Sequence, residues 1–413
     1  MSDAYAALRI PDFRRFIAMR LLMTLSSQVM SVSVGYFVYD LTNAPLMLGF
    51  IGLTEAIPAI AISLYAGHLA DKLNRRNMLV ACIALLLFCS TALVALTYWR
   101  HLLPLNTLLI GVFGVIFLTG IGRGFFSPTN FAFLPQLVDK DLLPNAITWN
   151  SSTWQVASIT GLSIGGLIYG FYGVSAAFTV MSVLCFGALV MALQIAPRPL
   201  PHGDLTEPAM DRIRDGLRFV FNHPLIIGAI ALDLFAVLFG GAVALLPVFA
   251  KDILKVGPEG LGILRTAMSL GAITMAFTLA HRQPGRNAGR LMLASVAGFG
   301  LCIIVFGLST SFWLSFACLY LAGVFDEVSV FIRASLIQLS TPDHMKGRVS
   351  SVNSIFIVSS NELGAFESGT AAHLLGTVPS VLFGGTMTIL IVAYTWWKAP
   401  KLRDFDFKAL KDA

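Results

Sequence analysis

The sequence predicts an all-α polytopic membrane protein. Hydrophobic residues make up 56% of the 413 residues and charged residues only 12%, and the mean hydropathy is +0.79, which is far from a soluble composition. A helix needs about 20 apolar residues to cross the hydrocarbon core, and the chain carries runs of that length throughout. A transmembrane barrel would instead show alternating segments of about ten residues. Helices are therefore predicted to satisfy the backbone hydrogen bonds in lipid.

Twelve transmembrane helices are predicted along the chain. Their approximate bounds are 17–39, 46–69, 78–98, 106–134, 146–170, 174–195, 224–250, 259–280, 291–309, 312–338, 349–375 and 379–397. The first run is long enough to remain in the membrane, so it is expected to act as the insertion signal and to stay uncleaved. A polar stretch after residue 196 divides the spans into two sets of six. We therefore predict an N-terminal half at 1–196, a cytoplasmic linker at 197–223 containing an amphipathic piece, and a C-terminal half at 224–413.

The charges of the loops indicate the orientation of the chain. Most Lys and Arg residues lie in the segments that are cytoplasmic when both termini are inside, as the positive-inside rule requires. The net charge of +6 is thereby explained by topology, and no nucleic-acid partner is needed. The five cysteines are scattered within predicted helices and are expected to be small buried hydrophobes. The histidines show no metal-ligand spacing, so neither a metal nor a cofactor is predicted.

The two halves show a weak internal repeat. Residues 134–152 (LPQLVDKDLLPNAITWNSS) align with 336–354 (LIQLSTPDHMKGRVSSVNS), and each segment ends one long helix, crosses a charged turn and begins the next. Such repeats are common in transporters. The turn after the second span, however, has no clean copy in the second half, because 281–290 (HRQPGRNAGR) keeps the cations and has no acid.

The turn after the second span carries the most specific motif of the chain. Gly67, Asp71, Lys72, Arg75 and Arg76 occupy a Gly-x-x-x-Asp-[Arg/Lys]-x-x-x-Arg-[Arg/Lys] pattern, which resembles the hallmark of the major facilitator superfamily. The resemblance covers nearly the whole chain and implies that fold, with two pseudo-symmetric six-helix halves. FRRF at 13–16, DLT at 40–42 and ESGTAA from 367 resemble the bacterial branch that includes macrolide-efflux and enterobactin-export proteins. The resemblance implies the bacterial cytoplasmic (inner) membrane, and a monomer is expected because a twelve-helix unit encloses its own path.

By the same resemblance, the motif forms a cytoplasmic gate. Asp71 is expected to face the start of the eleventh span, where free amide groups attract an anion, and Arg348 lies near that start. The alternative is a charge cluster that only sets topology. Topology explains Lys72, Arg75 and Arg76 but does not require Asp71, so the gate is the favoured interpretation.

Ionisable side chains at membrane depth are costly and therefore need an explanation. The acids expected within the spans, as candidates for proton coupling, are Glu362, Asp233, Asp326, Glu327, Glu55 and Glu367. Glu362 is the first candidate because it follows Asn361 near the middle of the eleventh span among apolar and small residues, where loss of water favours the neutral carboxyl. Asp233 is the second. The alternative for each acid is a structural pair with a buried cation or hydroxyl.

Two arginines, Arg123 and Arg333, lie within predicted spans. Arg333 follows Asp326 by two helical turns, so the two share a face. Arg123 stands among Gly120, Gly122 and Gly124, a setting that permits close helix approach or a local bend. An internal salt bridge is favoured for both arginines over contact with an anionic substrate.

Further candidates for a polar and aromatic substrate cavity come from the helices that line the cavity in the resembling fold. They are Gln28, Ser31 and Tyr36 in the first span, Trp154 and Gln155 in the fifth, and Asn361 in the eleventh.

Three classes of function remain open. The leading one is secondary active transport by alternating access, with protons coupled to the export of an amphiphilic small molecule such as a drug or siderophore. The second is transport of a lipid or organic anion bound by Arg123 and Arg333, without obligatory protons. A membrane enzyme or non-transporting sensor is disfavoured, because HExxH does not occur and there is no room for an added domain. The GxSxG spacing at 161–165 lies within a predicted membrane span, whereas that motif acts at a strand-to-helix turn. No Walker motif is present, so an ion gradient is the expected energy source. The fifth span has Gly161-Leu162-Ser163-Ile164-Gly165-Gly166 where antiporters usually have Gly-Pro-x-x-Gly-Gly, so the proline of that signature is missing.

Overall fold

The computed structural model describes residues 5–198, 209–281, 287–342 and 345–407, and it describes residues 63–72, 140, 209–213, 280, 347 and 351 by their backbone only. The chain is all-α as predicted. Its helices in order are α1 Pro11–Thr42, α2 Pro45–Lys72, α3 Arg75–Tyr98, α4 Leu105–Phe133, α5 Leu143–Tyr172, α6 Val174–Leu193, α7 Ala209–Asn222, α8 Pro224–Phe239, α9 Leu246–Val248, α10 Gly257–His281, α11 Ala288–Leu308, α12 Phe312–Ser340, α13 Lys346–Leu375, α14 Thr377–Lys398 and α15 Pro400–Arg403.

A helix is present in each of the twelve predicted segments. In the described part of the chain, ten helical segments are long and apolar enough to cross a membrane, and the seventh predicted span runs from α8 through α9 to Ile253. The two long helices that fall short of that composition are α5 and α13, of 30 residues each. Both are rich in Ser, Thr and Asn. Polar side chains are thus concentrated on two helices that would each reach about 45 Å.

The chain forms two compact units, and each repeats the same helix pairs. One unit comprises Met1–Asn43, Thr54–Asp204 and Gly257–Ile263, and the other comprises Ala44–Leu53, Leu205–Val256 and Leu264–Ala413. In the first, α1 packs on α5 and α6, and α3 packs on α4 and α6. In the second, α8 packs on α13 and α14, and α11 packs on α12 and α14. The predicted sequence bounds of the halves differ from these units in parts of α2 and α10, and they stay a prediction.

Glycines permit a tight turn between two helices and a close contact between two helices in each of the units. Gly173 (φ +82°) joins α5 to α6 and Gly376 (φ +94°) joins α13 to α14, in a left-handed conformation that a Cβ disfavours. Gly161 brings α5 onto α1, where an added Cβ would lie 2.8 Å from the Gln28 Cβ. Gly364 brings α13 onto α8, where an added Cβ would lie 2.9 Å from the Leu238 carbonyl oxygen. These matching positions are the structural counterpart of the weak sequence repeat.

The amphipathic piece predicted in the linker is helix α7. Its apolar side, including Val220 and Leu217, packs into the core of the second unit with Val349 and Val352 of α13. Gly216 permits this packing, because an added Cβ would lie 2.8 Å from the Arg348 carbonyl oxygen. The linker helix is therefore part of the second unit's fold.

The five cysteines are free and buried, as predicted. Each fills space inside a helix bundle.

Candidate functional site

The second unit contains a buried ion pair between α8 and α12. Arg333 Nη1 lies 3.0 Å from Asp233 Oδ2, and the two side chains are only 6% and 9% exposed. The helices that carry them pack directly on each other. Their neighbours in sequence, Ile332 and Leu232, belong to the apolar core of the unit. Such a pair is stable only because each charge is compensated by its partner.

A second carboxyl adjoins this pair. Asp326, a half-buried residue two turns before Arg333 on α12, interacts electrostatically with Asp233, with Arg333 and with its neighbour Glu327. Asp233, Asp326 and Ser329 line a cavity of about 10 Å³, which has room for about one water-sized molecule. On the other side Arg333 Nη1 donates a long hydrogen bond of 3.4 Å to Asn353 Oδ1 of α13. We call Asp233, Asp326 and Arg333 the carboxylate cluster.

The first unit contains an ion pair of a different kind. Arg123 Nη1 of α4 contacts Glu55 Oε1 of α2, and the Arg123 side chain is 54% exposed while Glu55 is 17% exposed. The close helix approach predicted from the glycines is confirmed, because an added Cβ on Gly120 would lie 2.3 Å from the Glu55 carbonyl oxygen. An added Cβ on Gly124 would lie 2.9 Å from the Ala59 carbonyl oxygen. Both internal salt bridges favoured for Arg123 and Arg333 are therefore present.

The other predicted acids lie outside the carboxylate cluster. Glu362 is half-buried on α13, and its Oε2 lies 3.0 Å from the position of an ideal Cβ on Gly52. Glu367, also on α13, is half-buried and precedes the buried Ser368. Glu327 follows Asp326 on α12 and is half-buried. Asn361 is exposed and donates to the Ile357 carbonyl of its own helix at 2.9 Å.

The cavity candidates of the first unit divide by exposure. Ser31, Trp154 and Gln155 are exposed, and Trp154 is 49% exposed. Gln28 is half-buried at the α1–α5 contact, where its Nε2 donates to the Ser158 carbonyl at 3.5 Å. Tyr36 is buried, and its ring lies 5.3 Å from that of Tyr169 between centroids. Tyr36 thus lies at the aromatic contact between α1 and α5, and its part in a substrate cavity stays a prediction.

Two described arginines of the predicted gate bind the ends of helices in the first unit. Arg75 donates to the Ala132 carbonyl at the end of α4 (2.9 Å), and Arg76 donates to the Leu193 carbonyl at the end of α6 (2.7 Å). Both arginines thus satisfy carbonyls at helix C-termini, where cations are favoured. The side chains of Gly67, Asp71 and Lys72 lie outside the described residues, so the proposed contact of Asp71 stays a prediction.

Arg348 also has a partner that the sequence did not indicate. Its Nη1 lies 2.6 Å from Asp215 Oδ2 on the linker helix α7. Sequence reasoning missed Asp215, Asn353 and Ser329. For Ser329 a signal existed, since it lies between Asp326 and Arg333 on the same helix.

Among the described residues, no group of three or more His, Cys, Asp or Glu side chains could hold a metal ion.

Comparison with known proteins agrees with this architecture. The sequence profile of a family described as transmembrane secretion effector, in the major facilitator group, matches residues 2–412. The enterobactin exporter EntS of Escherichia coli (strain K12) is 26% identical over 400 residues, which cover 96% of this chain and 93% of that protein. The EntS protein of Shigella boydii serotype 4 is 27% identical over 386 residues, covering 92% and 90%.

Solved structures show the same fold at lower identity. The peptide-transporter-family protein PepTSo superimposes with a TM-score of 0.73 at 15% identity, covering 96% of this chain and 99% of that chain. A D-xylose-proton symporter superimposes with a TM-score of 0.69 at 14% identity, covering 96% and 99%. At such identities the likeness concerns the fold alone.

Proposed function

Because this chain belongs to the transmembrane secretion effector family of the major facilitator superfamily, it is a multi-pass membrane transporter and not an enzyme, and we propose that it exports an amphiphilic small molecule by proton-coupled alternating access. The similarity to enterobactin exporters over nearly the full length supports a siderophore-type substrate. We further propose a monomer in the lipid of a bacterial inner membrane, with both termini in the cytoplasm, on the distribution of Lys and Arg among the loops.

The carboxylate cluster is the observation that carries the proton coupling. One guanidinium can balance only one of its two carboxylates, so with all three groups ionised the cluster has a net negative charge inside the transmembrane part of the second unit. A buried net charge is costly. Uptake of one proton by Asp233 or Asp326 makes the cluster neutral, and release of that proton restores the charge. A group that changes charge in this way can couple a conformational change to a proton gradient.

This assignment moves the coupling role from Glu362, the first candidate from sequence, to Asp326 with Asp233. The reason is the shared cation: Arg333 interacts with both aspartates, so the proton on one of them determines the charge of all three. The second candidate function, organic-anion or lipid transport without obligatory protons, is favoured by the exposed Arg123. It is disfavoured for Arg333, which is buried and held by Asp233.

The test is proton flux into liposomes that contain the purified protein, followed with an internal pH-sensitive dye while enterobactin is offered as substrate. Asp326→Asn keeps the shape of the side chain and leaves a neutral Asp233–Arg333 pair, so substrate-dependent proton flux should be lost. Glu362→Gln is the matched control, an equally conservative change of an acid outside the cluster, and it should retain the flux. Loss only in Glu362→Gln would return the role to that residue. Wild-type transport that ignores the proton gradient would refute proton coupling.

A further inference from the structure

Arg123 combines two properties that rarely occur together. It lies well inside α4, in a segment long and apolar enough to cross a membrane, and yet its side chain is 54% exposed. A guanidinium half exposed to hydrocarbon would be expensive, and charged residues in spans almost always face a protein interior or a water-filled space. The exposed part of Arg123 therefore faces water or a polar ligand.

The backbone around Arg123 is fixed, so the side chain is presented from a rigid position. Gly120 and Gly124, on either side of it, press α4 against the backbone of α2 at distances that leave no room for a Cβ. Glu55, on α2, holds one edge of the guanidinium. Rigid elements position binding groups more precisely than loops do.

We propose that Arg123 binds an oxyanion on the transported amphiphile, such as a carboxylate, and that Glu55 occupies the guanidinium when the substrate is absent. The planar fork of a guanidinium matches a carboxylate in two parallel hydrogen bonds. The substrate anion then exchanges with the Glu55 carboxylate, so the arginine keeps a counter-charge throughout. The inference rests on the proposed function, of which it specifies the substrate class as anionic amphiphiles.

Arg333 shows why exposure decides between the two arginines. Its side chain is 6% exposed and its partner Asp233 9%, so a ligand could reach it only by opening the packed core of the second unit. The Arg123–Glu55 pair requires no such opening. Binding of the substrate anion, which the sequence allowed for both arginines, is therefore assigned to Arg123 alone.

The experiment measures equilibrium binding of dansyl-labelled undecanoic acid and of its methyl ester to the full chain in phosphatidylcholine nanodiscs, without a gradient. The wild type should bind the acid at least about tenfold more tightly than the ester, the value of one charge-assisted contact. Arg123→Gln should bring the ratio near one, and Arg123→Lys should give an intermediate ratio because an ammonium lacks the fork. Glu55→Gln should bind the acid more tightly than the wild type, because the competing carboxylate is gone.

Arg290→Gln is the matched control. Arg290 is 53% exposed and paired with Asp404 at 3.0 Å, so its removal also takes away a half-exposed, ion-paired arginine, and the ratio should not change. An acid-to-ester ratio that survives in Arg123→Gln would overturn the proposal. So would displacement of the acid from wild type, but not from Arg123→Gln, by phosphatidylglycerol added to the nanodiscs, since the site would then belong to lipid headgroups. Failure here leaves the proton flux of the Asp326 variants unaffected, so the two proposals can fail separately.

Discussion

Breaking the Asp233–Arg333 pair should destabilise the protein far more than breaking a surface pair of the same length. The pair joins atoms 3.0 Å apart in side chains that are 6% and 9% exposed. The Arg290–Asp404 pair has the same distance of 3.0 Å, but its side chains are 53% and 46% exposed. The comparison therefore matches the distance between the charged atoms, while the exposure of the side chains differs.

The magnitudes follow from that difference. Removing one partner of a buried pair leaves an uncompensated charge and costs about 3–5 kcal/mol, whereas an exposed pair contributes about 0–1 kcal/mol. Arg333→Gln is expected toward the lower end of the first range, because the two aspartates that it leaves can bind protons. Arg290→Gln should cost less than about 1 kcal/mol.

The assay is the free energy of unfolding of the protein in mixed micelles, obtained from titrations with a denaturing detergent. The double variant Asp233→Asn with Arg333→Gln should be less destabilised than the sum of the two single variants, since it leaves one carboxyl of the cluster without a cation, where Arg333→Gln alone leaves two. Equal losses for Arg333→Gln and Arg290→Gln would refute the reasoning, and so would strict additivity in the double variant.

Two further outcomes can be measured on the same material. His223 caps α8 by accepting from the Ile226 amide at 3.4 Å, and partial burial lowers its pKa below the usual value. The unfolded chain therefore binds the proton at higher pH than the folded chain does. The contribution of His223 to the free energy of unfolding should be fully present above about pH 7 and should decrease as the pH drops through about 6.5 toward the folded pKa. The measurement is the thermal midpoint as a function of pH, and a His223→Asn variant that keeps the same slope would contradict this expectation. Gly120→Val should lower the thermal midpoint markedly, because the ideal Cβ already lies 2.3 Å from a backbone oxygen of α2; Gly114→Val, at a position with nothing within 4 Å of its Cβ, is the control and should be nearly neutral.

The fold could be predicted from sequence because membrane solvent leaves few choices. Long apolar runs and loop cations indicated the helices, and the glycines around Arg123 correctly indicated close packing of α4. The amphipathic piece of the linker likewise became α7. Each of these predictions depends on neighbouring residues, so each could be made before the packing of distant helices was known.

Pairing between distant helices could not be predicted in this way. Two-turn spacing placed Asp326 and Arg333 on one face, but nothing local to Asp233, on another helix, indicated that it completes the cluster. Glu362 ranked first because its neighbours in sequence are apolar, whereas the number of charges that share one cation depends on helix packing. Arg348 shows the same limit, since its partner Asp215 belongs to the linker and not to the motif expected to bind there.

The two ion pairs differ mainly in burial, and burial determines what each can exchange. The Asp233–Arg333 pair adjoins a cavity of about 10 Å³, so a proton can change the charge of the cluster while the unit stays packed. The Arg123–Glu55 pair leaves the guanidinium half exposed, so a substrate anion can replace the carboxylate. Two sites of this kind separate the two roles, because the proton exchanges at the closed pair and the substrate anion exchanges at the open one. On our proposals, the second unit holds the proton site and the first unit holds the substrate anion.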